Sequence, residues 1–454
     1  MENEKTITII GAGFVGLSTA AIMSNVGYKV YLLEINPKRL DIIKQGRSFF
    51  YEQGINPLIQ RGIENKKLIP TDTYDSCVPE SDIIFSCVGT PDNPDGSSNL
   101  TYVYTAAESA AKLMKPGTIF VQKSTVPVGT GTNVSERIRL HQSKFSYVSN
   151  PEFLREGTAL FDSLYFDRIV VGGDDPAANK TVLSLYKTMA SRRHELAKFA
   201  GVERGYTEGT YVETNLNGAE LVKVTANAFL ALKISFANSI AKLADAAGAD
   251  VNEIMDAVGA DRRIGRAFLN AGRGYGGGCF PKDVSGLVSS AEGYGVDMPI
   301  LVAATDTNES MPGYIASKAQ AALGGLSGKQ VAVLGLAFKA GTSDARRSPG
   351  ILLANILRRN GATVRAFDPQ ANEEARDELH PKITITDSVE AATKQADAVV
   401  VATDWPEFIQ IDLDKLAKAM HGKLVVDAVN CYPIETVKRA GLIYVGVGRN
   451  GDPA

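Results

Sequence analysis

The first 34 residues constrain the fold more than any other stretch. A β-branched run, Thr6–Ile10, is followed by GAGFVG at positions 11–16, by a helix-forming stretch, and by a second strand-like run, Lys29–Leu33, that ends at Glu34. A strand, a glycine turn, a helix, a strand and an acid at this spacing are typical of a Rossmann βαβ unit. The chain is therefore predicted to begin with a dinucleotide-binding sheet, and the alternative is a purely structural βαβ turn.

Individual residues of this unit have separate predicted roles. Gly11 permits a sharp turn, Gly13 lets the backbone approach a pyrophosphate, and Gly16 lets helix and strand pack closely. Glu34 would accept hydrogen bonds from ribose hydroxyls and would repel a 2′-phosphate, so NAD is favoured over NADP. The nearby Arg39 leaves NADP open.

A second set of α/β elements is predicted in the C-terminal third. Gln330–Leu334 and Thr363–Phe367 repeat the N-terminal strands, but Gly335-Leu-Ala-Phe338-Lys339 replaces the glycine fingerprint. Between the two sets, the stretch from Thr214 to about Ala249 is predicted to form one long helix rich in Ala and Leu. We expect an α/β protein with two Rossmann-like doubly wound domains joined by a long central helix and a helical middle domain. The expected domains are residues 1–208 for NAD, 209–318 for the helical centre with a cysteine loop, and 319–454 for a phosphate-bearing ligand.

Composition excludes several classes of protein. The chain has 454 residues and a net charge of -3, so no basic surface for nucleic acid is expected. Its longest apolar runs are strand-sized and no signal-peptide pattern precedes the first strand, which favours a cytoplasmic protein without a membrane partner. Cysteines 77, 87, 279 and 431 have no paired spacing, so neither a disulfide framework nor a metal site is expected.

Polar residues follow several predicted strands at the sheet edge where ligands bind. Thr90, Ser124 and Thr125 each come shortly after a buried strand and could touch cofactor or substrate. Glu152 and Glu156 follow a later strand and are four residues apart, so they are predicted to share one face of a helix. Turn formation and a solvated helix start are the alternatives.

A glycine-rich loop delivers one thiol. Gly274-Tyr-Gly-Gly-Gly-Cys279 is followed by Pro281, which suits the first turn of a helix, so Cys279 is predicted to lie at a helix N-terminus. The helix dipole and Lys282 would favour the thiolate, as a nucleophile requires. A flexible turn carrying a small apolar cysteine is the alternative.

The long helix carries a second candidate pair. Lys223 and Asn227 are four residues apart, and therefore lie on one face among small and apolar residues. A partly buried lysine there would suit acid–base chemistry. A snorkelling surface lysine is the alternative.

Taken together, these motifs resemble the UDP-glucose/GDP-mannose dehydrogenase family. The likeness extends over nearly the whole chain and rests on GAGFVG, KSTVPVGT, NPEFLREGTA, ELVKVTANAFLALKISFANS, GYGGGCFPKD and GLAFKAGTSDARRSP. It implies a four-electron oxidation of a sugar C6 hydroxyl to a carboxylate, with two NAD+ used in succession and a thioester on the cysteine. It also implies a nucleotide-sugar substrate.

The resemblance assigns roles residue by residue. Cys279 would be the nucleophile, Lys223 and Asp283 would handle protons and water, and Asn227 would hold an oxyanion. Thr125 and Glu152 match the remaining catalytic positions. The implied cofactor contacts are Gly11, Gly13, Val15, Gly16, Glu34, Arg39, Thr90, Ser124, Thr125, Glu156, Lys282 and Arg346. The implied substrate contacts are Glu152, Phe153, Leu154, Lys223, Asn227, Arg263, Tyr275, Gly276, Phe338 and Lys339, with Arg263 reaching across an interface in a homodimer or higher homo-oligomer.

The chain departs from the family pattern at one strand end, where Asp427-Ala-Val-Asn430-Cys431 replaces an arginine-bearing turn. UDP-glucose is the expected substrate, and TDP-glucose, GDP-mannose and a UDP-N-acetylhexosamine remain alternatives. Two other functions also remain. One is a two-electron β-hydroxyacid dehydrogenase, which has a similar Lys and Asn pair, and the other is a non-catalytic NAD-sensing protein.

Overall fold

Two sheets organise the chain, one in each of two units. The computed structural model describes residues 5–206 and 208–449. The first unit runs to Ala226 and includes Ser285–Tyr294, and the second comprises Asn227–Val284 and the chain from Gly295 onward.

Eight strands form the sheet of the first unit. They are β1 (Thr6–Ile10), β2 (Lys29–Leu33), β3 (Leu68–Thr71), β4 (Ile83–Ser86), β5 (Thr118–Gln122), β6 (Phe145–Ser149), β7 (Arg168–Gly172) and β8 (Thr210–Thr214). Their order is β3-β2-β1-β4-β5-β6-β7-β8. The pairings are parallel except for β6 with β7, where Ser149 lies opposite Gly172 in an antiparallel register. The first six strands therefore have the doubly wound order that was predicted.

Helices cover both faces of this sheet. They are α1 (Phe14–Val26), α2 (Pro37–Lys44), α3 (Ile55–Glu64), α4 (Thr101–Ala111), α5 (Thr130–Arg139), α6 (Ala159–Leu164), α7 (Pro176–Ser191) and α8 (Arg193–Ala200). One 3-10 turn spans Val78–Glu80. Helix α1 is buried from Gly16 to its end, as expected for the helix that lies against the centre of a doubly wound sheet.

Six parallel strands form the sheet of the second unit. They are β9 (Gln330–Leu334), β10 (Thr363–Phe367), β11 (Thr384–Ile385), β12 (Ala398–Val401), β13 (Leu424–Asp427) and β14 (Ile443–Gly446). Their order, β11-β10-β9-β12-β13-β14, is the same as that of the first six strands of the other sheet. The predicted internal repeat is confirmed at the level of topology.

The remaining helices include two long ones. They are α9 (Leu216–Ala247), α10 (Val251–Gly259), α11 (Phe280–Gly293), α12 (Pro299–Leu323), α13 (Pro349–Arg359), α14 (Val389–Thr393), α15 (Pro406–Ile409), α16 (Leu413–Ala419) and α17 (Ile434–Arg439). Helix α9 matches the long helix predicted from Thr214 to about Ala249. By length and composition it could cross a membrane, and 44% of its most apolar window is buried in this chain. A buried helix of a globular protein passes the same test, and α9 also carries Lys223 and Asn227.

The repeat extends to an acid at the end of the second strand of each sheet. In the first unit, Glu34 Oε2 accepts a hydrogen bond from the Ala12 amide at 3.3 Å. In the second, Asp368 Oδ2 accepts bonds from the amides of Leu336 at 2.8 Å and Ala337 at 2.9 Å. The Trp405 indole N–H donates to the same oxygen at 3.1 Å. The carboxylate of the second sheet is thus occupied by its own loop and by Trp405.

Candidate active site

The glycine turn leaves an open approach to the N-terminus of α1. Gly11 has φ +93°, and a Cβ there would lie 2.8 Å from the Cys87 carbonyl oxygen. A Cβ on Gly16 would lie 1.9 Å from the Gly11 carbonyl oxygen, so this contact requires glycine. A Cβ on Gly13 would meet nothing within 4 Å. The backbone is thus tightly packed at Gly11 and Gly16 and open at Gly13. This arrangement fits a pyrophosphate bound at the positive end of the helix.

The acid after β2 lies beside the glycine turn. The buried Glu34 carboxylate accepts a bond from the Asn36 amide at 2.8 Å, as well as the bond from the glycine turn. Arg39 is exposed, and its guanidinium lies 4.8 Å from the centroid of the Phe49 ring. Val15 in the turn is half-buried. An acid fixed beside the glycine turn fits NAD.

The predicted polar residues lie just after β4 and β5. Thr90 is 8% exposed, and Thr125 is half-buried. The Ser124 hydroxyl donates to the Val88 carbonyl at 2.6 Å, so it ties together the two loops that follow these neighbouring strands. The carboxyl ends of parallel strands meet at one sheet edge, and these residues share that edge with the glycine turn.

A buried ion pair joins α9 to the loop after β6. Lys223 Nζ lies 3.3 Å from Glu152 Oε1, and both side chains are nearly inaccessible. The Leu154 amide donates to Glu152 Oε2 at 2.5 Å. The Phe153 ring centroid lies 5.4 Å from the same ammonium. Two predicted catalytic residues are therefore in contact, and a predicted substrate loop surrounds them.

The prediction that Glu152 and Glu156 share a helical face is wrong. Residues 151–158 contain no helix, and α6 begins only at Ala159. In this loop, the backbone amide and the guanidinium of Arg155 donate hydrogen bonds to the Asp162 side chain. Glu152 is buried and Glu156 is half-buried, so the two acids have different surroundings.

A second buried lysine supports both catalytic loops of the first unit. Lys123 Nζ donates to the Tyr186 hydroxyl at 2.9 Å and to Asn150 Oδ1 at 3.3 Å. Burial is the largest single influence on the pKa of Lys123 and acts to lower it, but the combined effects of Tyr186, Cys87 and Glu152 leave that pKa raised. Burial raises the pKa of the neighbouring Cys87 thiol to about 12, so Cys87 is an unreactive core thiol. The sequence analysis gave Lys123 no role, although it begins the KSTVPVGT motif.

In the second unit, Cys279 lies immediately before α11, as predicted. Its carbonyl oxygen accepts the Asp283 amide at 2.8 Å, the first hydrogen bond of that helix. The cysteine forms no disulfide and is half-buried. The position exposes the thiol to the positive end of the helix dipole, which favours the thiolate.

The Asp283 carboxylate is held on both of its oxygens. The Asn227 amide nitrogen donates to Oδ2 at 2.6 Å, and Lys282 Nζ lies 2.6 Å from Oδ1. Asp283 is 3% exposed and Asn227 is 6% exposed. An anion, an amide and a cation thus lie together around Asp283, one helical turn after the predicted nucleophile Cys279.

The cysteine loop packs directly on the segment after β9. The Gly277 amide donates to the Arg346 carbonyl at 2.9 Å, and a Cβ on Gly277 would lie 2.8 Å from the Phe338 ring. A Cβ on Gly278 would lie 2.6 Å from the Arg346 guanidinium. Asp344 holds that guanidinium with bonds of 2.8 and 2.6 Å. Because Gly277 and Gly278 have no side chains, Phe338, a predicted substrate contact, and Arg346, a predicted cofactor contact, can lie against the loop.

The other predicted substrate residues of this unit differ in their surroundings. Tyr275 is buried, and its backbone exchanges two hydrogen bonds with the Asn308 side chain at 2.7 and 3.0 Å. A Cβ on Gly276 would collide with the Arg347 carbonyl oxygen at 2.2 Å. Lys339 Nζ lies 5.7 Å from the centroid of the Phe338 ring. Arg263 pairs with Asp261 at 2.5 Å, and its side chain is 89% exposed.

Arg273, which the sequence analysis missed, supports the same segment. It is buried, and its guanidinium donates to the carbonyl oxygens of Ala337 at 3.2 Å and Phe338 at 2.6 Å. Burial lowers the pKa of this guanidinium to about 10. An arginine directly before the glycine-rich loop is a signal that could have been read from the sequence.

Models of one protein family match three consecutive parts of the chain. The family's NAD binding domain matches residues 5–190, its central domain 217–310 and its UDP binding domain 332–434. The chain belongs to the UDP-glucose/GDP-mannose dehydrogenase family. The resemblance stated from the motifs is confirmed, and NAD is the cofactor of this family's N-terminal domain.

Similar proteins cover the whole chain. UDP-glucose 6-dehydrogenase YwqF of Bacillus subtilis (strain 168) is 36% identical over 98% of this chain and 97% of its own length. UDP-glucose 6-dehydrogenase of Rhizobium meliloti (strain 1021) is 37% identical over 98% and 99%. A solved UDP-glucose dehydrogenase from Pyrobaculum islandicum superposes with a TM-score of 0.87 at 36% identity, with 98% of each chain covered. A UDP-D-ManNAc dehydrogenase from Pyrococcus horikoshii superposes at 0.84 with 28% identity, over 98% of this chain and 100% of its own.

Within residues 5–206 and 208–449, no three His, Cys, Asp or Glu side chains are grouped so that they could hold a metal ion.

Proposed function

We propose that the protein is an NAD-dependent UDP-glucose 6-dehydrogenase that oxidises the sugar C6 hydroxyl to a carboxylate through a Cys279 thioester. The substrate is supported by whole-length relatives named for it at 35–37% identity. The observation that carries the mechanism is the position of Cys279 at the start of α11, one turn from an Asp283 carboxylate held by Asn227 and Lys282.

A thiolate explains how one active site passes through two oxidation levels. Bound NAD+ supplies the hydride acceptor, once for the alcohol and once for the thiohemiacetal. Cys279 Sγ forms a bond to C6 of the aldehyde, and the carbonyl electron pair moves to oxygen. Lys223 and Asn227 would donate hydrogen bonds to that oxygen, where charge develops.

Hydrolysis returns the cysteine to its starting form. Water adds to the thioester carbon, Asp283 takes one of its protons, and the C–S bond breaks with its electron pair on sulfur. The balance is one alcohol, two NAD+ and one water giving one carboxylate, two NADH and three protons. The buried Glu152, paired with Lys223, would hold the ammonium in place and is a relay for the proton of the alcohol.

Further proposals concern the remaining site residues. We assign NAD contacts to the glycine turn and to Glu34, because they directly follow β1 and β2. We assign nucleotide contacts to Phe338 and Lys339, because they lie in the loop that follows β9. The other proposed cofactor contacts are Val15, Arg39, Thr90, Ser124, Thr125, Glu156, Lys282 and Arg346. The other proposed substrate contacts are Phe153, Leu154, Arg263, Tyr275 and Gly276.

We also propose three domains, at residues 1–208, 209–318 and 319–454, with support from the three successive family matches. A homodimer is supported by α9, on which Phe229, Phe236 and Leu243 are at least half exposed at seven-residue intervals. A cytoplasmic location is supported by the four cysteines, none of which forms a disulfide.

The test is the stoichiometry of NADH on a panel of nucleotide sugars. UDP-glucose, TDP-glucose, GDP-mannose and UDP-N-acetylglucosamine are compared, and we expect UDP-glucose to give the highest kcat/KM with two NADH for each sugar. Cys279→Ala should abolish the second equivalent. A ratio of one, or full activity in that variant, would reject the thioester. A different preferred sugar would correct the substrate and leave the chemistry intact.

A further inference from the structure

A buried carboxylate outside the catalytic set joins two catalytic segments. Glu220 lies on α9, one turn before Lys223, and is 2% exposed. Its Oε2 accepts the Gly129 amide at 2.7 Å, and its Oε1 accepts the Gly131 amide at 2.7 Å. The loop that carries Thr125 ends at these glycines, where α5 begins. Glu220 thus connects that loop to the helix turn that carries Lys223.

The two amides belong to the first turn of α5. Gly129 is the N-cap residue of this helix and makes no side-chain capping bond. The first amides of a helix have no partner within it, and the helix dipole favours an anion there. Glu220 supplies both acceptors, although it lies 91 positions from Gly129 and 89 from Gly131 in the sequence. A carboxylate that receives two backbone N–H groups, one on each oxygen, fixes both distance and orientation.

The surroundings leave little room for adjustment. A Cβ on Gly131 would lie 2.8 Å from both the Leu216 side chain on α9 and the Tyr147 ring on β6. A Cβ on Gly129 would lie 3.0 Å from the Tyr294 hydroxyl, which follows α11. The loop and α9 are therefore packed at a fixed separation, and Glu220 occupies the gap between them.

We propose that Glu220 is a positioning residue for this dehydrogenase: its ionised carboxylate holds the Thr125–Gly131 loop in register with Lys223, and protonation loosens that register. The inference rests on the proposed function for its kinetic readout. Its structural readout, the protection of the two glycine amides, does not depend on the substrate.

The charge state of Glu220 changes in the working range of pH. Burial raises its pKa to about 7, against the lowering effect of its two amide bonds. The titratable group that faces it from β6 is Tyr147, whose pKa is raised well above its ordinary value, first by burial and then by Glu220 and Tyr104. The Tyr147 hydroxyl has no hydrogen-bond partner among the described residues. Helix α5 presents backbone amides, and the nearest cation along α9 is Lys223, which pairs with Glu152.

The sign of the effect follows from the geometry. Above pH 7 the carboxylate accepts both amides. Below pH 7 one oxygen carries a proton and can no longer accept a bond in the same direction, so one amide loses its partner. The loop is then less firmly placed and turnover slows as the pH falls through 7.

The experiment compares wild type, Glu220→Gln and Glu136→Gln between pH 6 and 8.5. The glutamine resembles the protonated acid at every pH, and Glu136 is an exposed glutamate on α5. We expect the ratio of wild-type to Glu220→Gln kcat to rise from about 2 at pH 6 to about 10 at pH 8.5, as the loss of one charge-assisted hydrogen bond predicts for a group that titrates near pH 7. The KM for NAD+ should change less than twofold, and Glu136→Gln should follow the wild type.

Hydrogen exchange of the segment 125–131, corrected for intrinsic rates, gives the second readout. Protection of the Gly129 and Gly131 amides should increase through pH 7 in the wild type and stay constant in Glu220→Gln. Glu220→Asp, which keeps the charge with a shorter reach, replaces the glutamine variant if the latter does not fold, and its profile should still titrate. A pH-independent kcat ratio with unchanged protection would overturn the proposal. If UDP-glucose is not turned over but protection still titrates, the proposed substrate fails and the positioning role stands.

Discussion

At the residue scale, the side chains proposed for catalysis have charges that are balanced inside the protein. Lys223 with Glu152, and Asp283 with Lys282, are ion pairs of which each member is at least 86% buried. Such pairs contribute little net stability, but each partner prevents the large cost of an isolated buried charge. They set the geometry of donors and acceptors before substrate arrives.

Because these charges are balanced, variants of Lys223 can separate its effect on stability from its effect on activity. Lys223→Met should lower the free energy of unfolding by about 3 kcal/mol, because Glu152 is left buried and unpaired. The double variant Lys223→Met/Glu152→Gln should recover most of that stability but no activity. Chemical denaturation and single-turnover NADH formation measure the two properties.

Lys415→Met removes the exposed pair with Asp412 and is the matched control, with an expected change below about 1 kcal/mol. NAD+ affinity should stay near the wild-type value in every variant, since the proposed role of Lys223 belongs to the transition state. Recovery of activity in the double variant would show that Lys223 serves only to neutralise Glu152.

At the scale of elements, close approaches at glycine position the loops. Helix α9 lies so near the start of α5 that Gly131 has no space for a methyl group. The cysteine loop packs in the same way, with Gly277 on Phe338 and Gly278 on Arg346. In each case a glycine allows side-chain atoms of a neighbouring segment to reach a distance that a Cβ would prevent.

Gly131→Ala should therefore destabilise the protein by about 1–3 kcal/mol through overpacking against Leu216 and Tyr147. Gly313→Ala is the control, because Gly313 lies in α12 with nothing within 4 Å of its Cβ direction. Alanine there should stabilise the protein by about 0.5–1 kcal/mol. Thermal melting of both variants measures the difference, and equal melting temperatures would mean that the α5–α9 contact is loose.

The sequence predicted these elements well where the signal was local. The βαβ unit, the span of α9 and the helix start at Cys279 follow from turn chemistry and periodicity over a few residues. The contacts that complete the site are distant in sequence. Glu220 bonds to glycines 91 and 89 positions away, and Lys123 bonds to Tyr186 across 63. The loop at Glu152–Glu156 was mispredicted because two acids four apart also fit a helix, whereas here the Arg155 amide donates to the distant Asp162 side chain and no helix begins before Ala159.

At the scale of the whole molecule, the two sheets share one topology but carry different first loops. The first has a glycine fingerprint with open space at Gly13, and the second has Phe338 and Lys339 in the corresponding loop. The exposed apolar residues on α9 add a third feature, a surface whose burial would favour self-association.

Phe236→Glu should convert a dimer into a monomer, because a charge would be buried in an otherwise apolar interface. Light scattering over a range of protein concentrations measures the mass. Leu140→Glu changes an equally apolar residue that is 81% exposed in the first unit and should leave the mass unchanged. A wild-type protein that is monomeric at all concentrations would reject the homodimer.

The occupied carboxylate Asp368 has a consequence for the order of events in a catalytic cycle. Leu336, Ala337 and Trp405 already donate to Asp368, so this carboxylate is not available to an adenosine ribose. Under the proposed two-step oxidation, the first unit would receive both oxidant molecules in turn, and reduced carrier would depart and fresh carrier arrive while the sugar stays at the aldehyde stage. The cellular ratio of oxidised to reduced carrier would then act twice on each sugar converted, and a reducing surplus would stall the enzyme between the two steps.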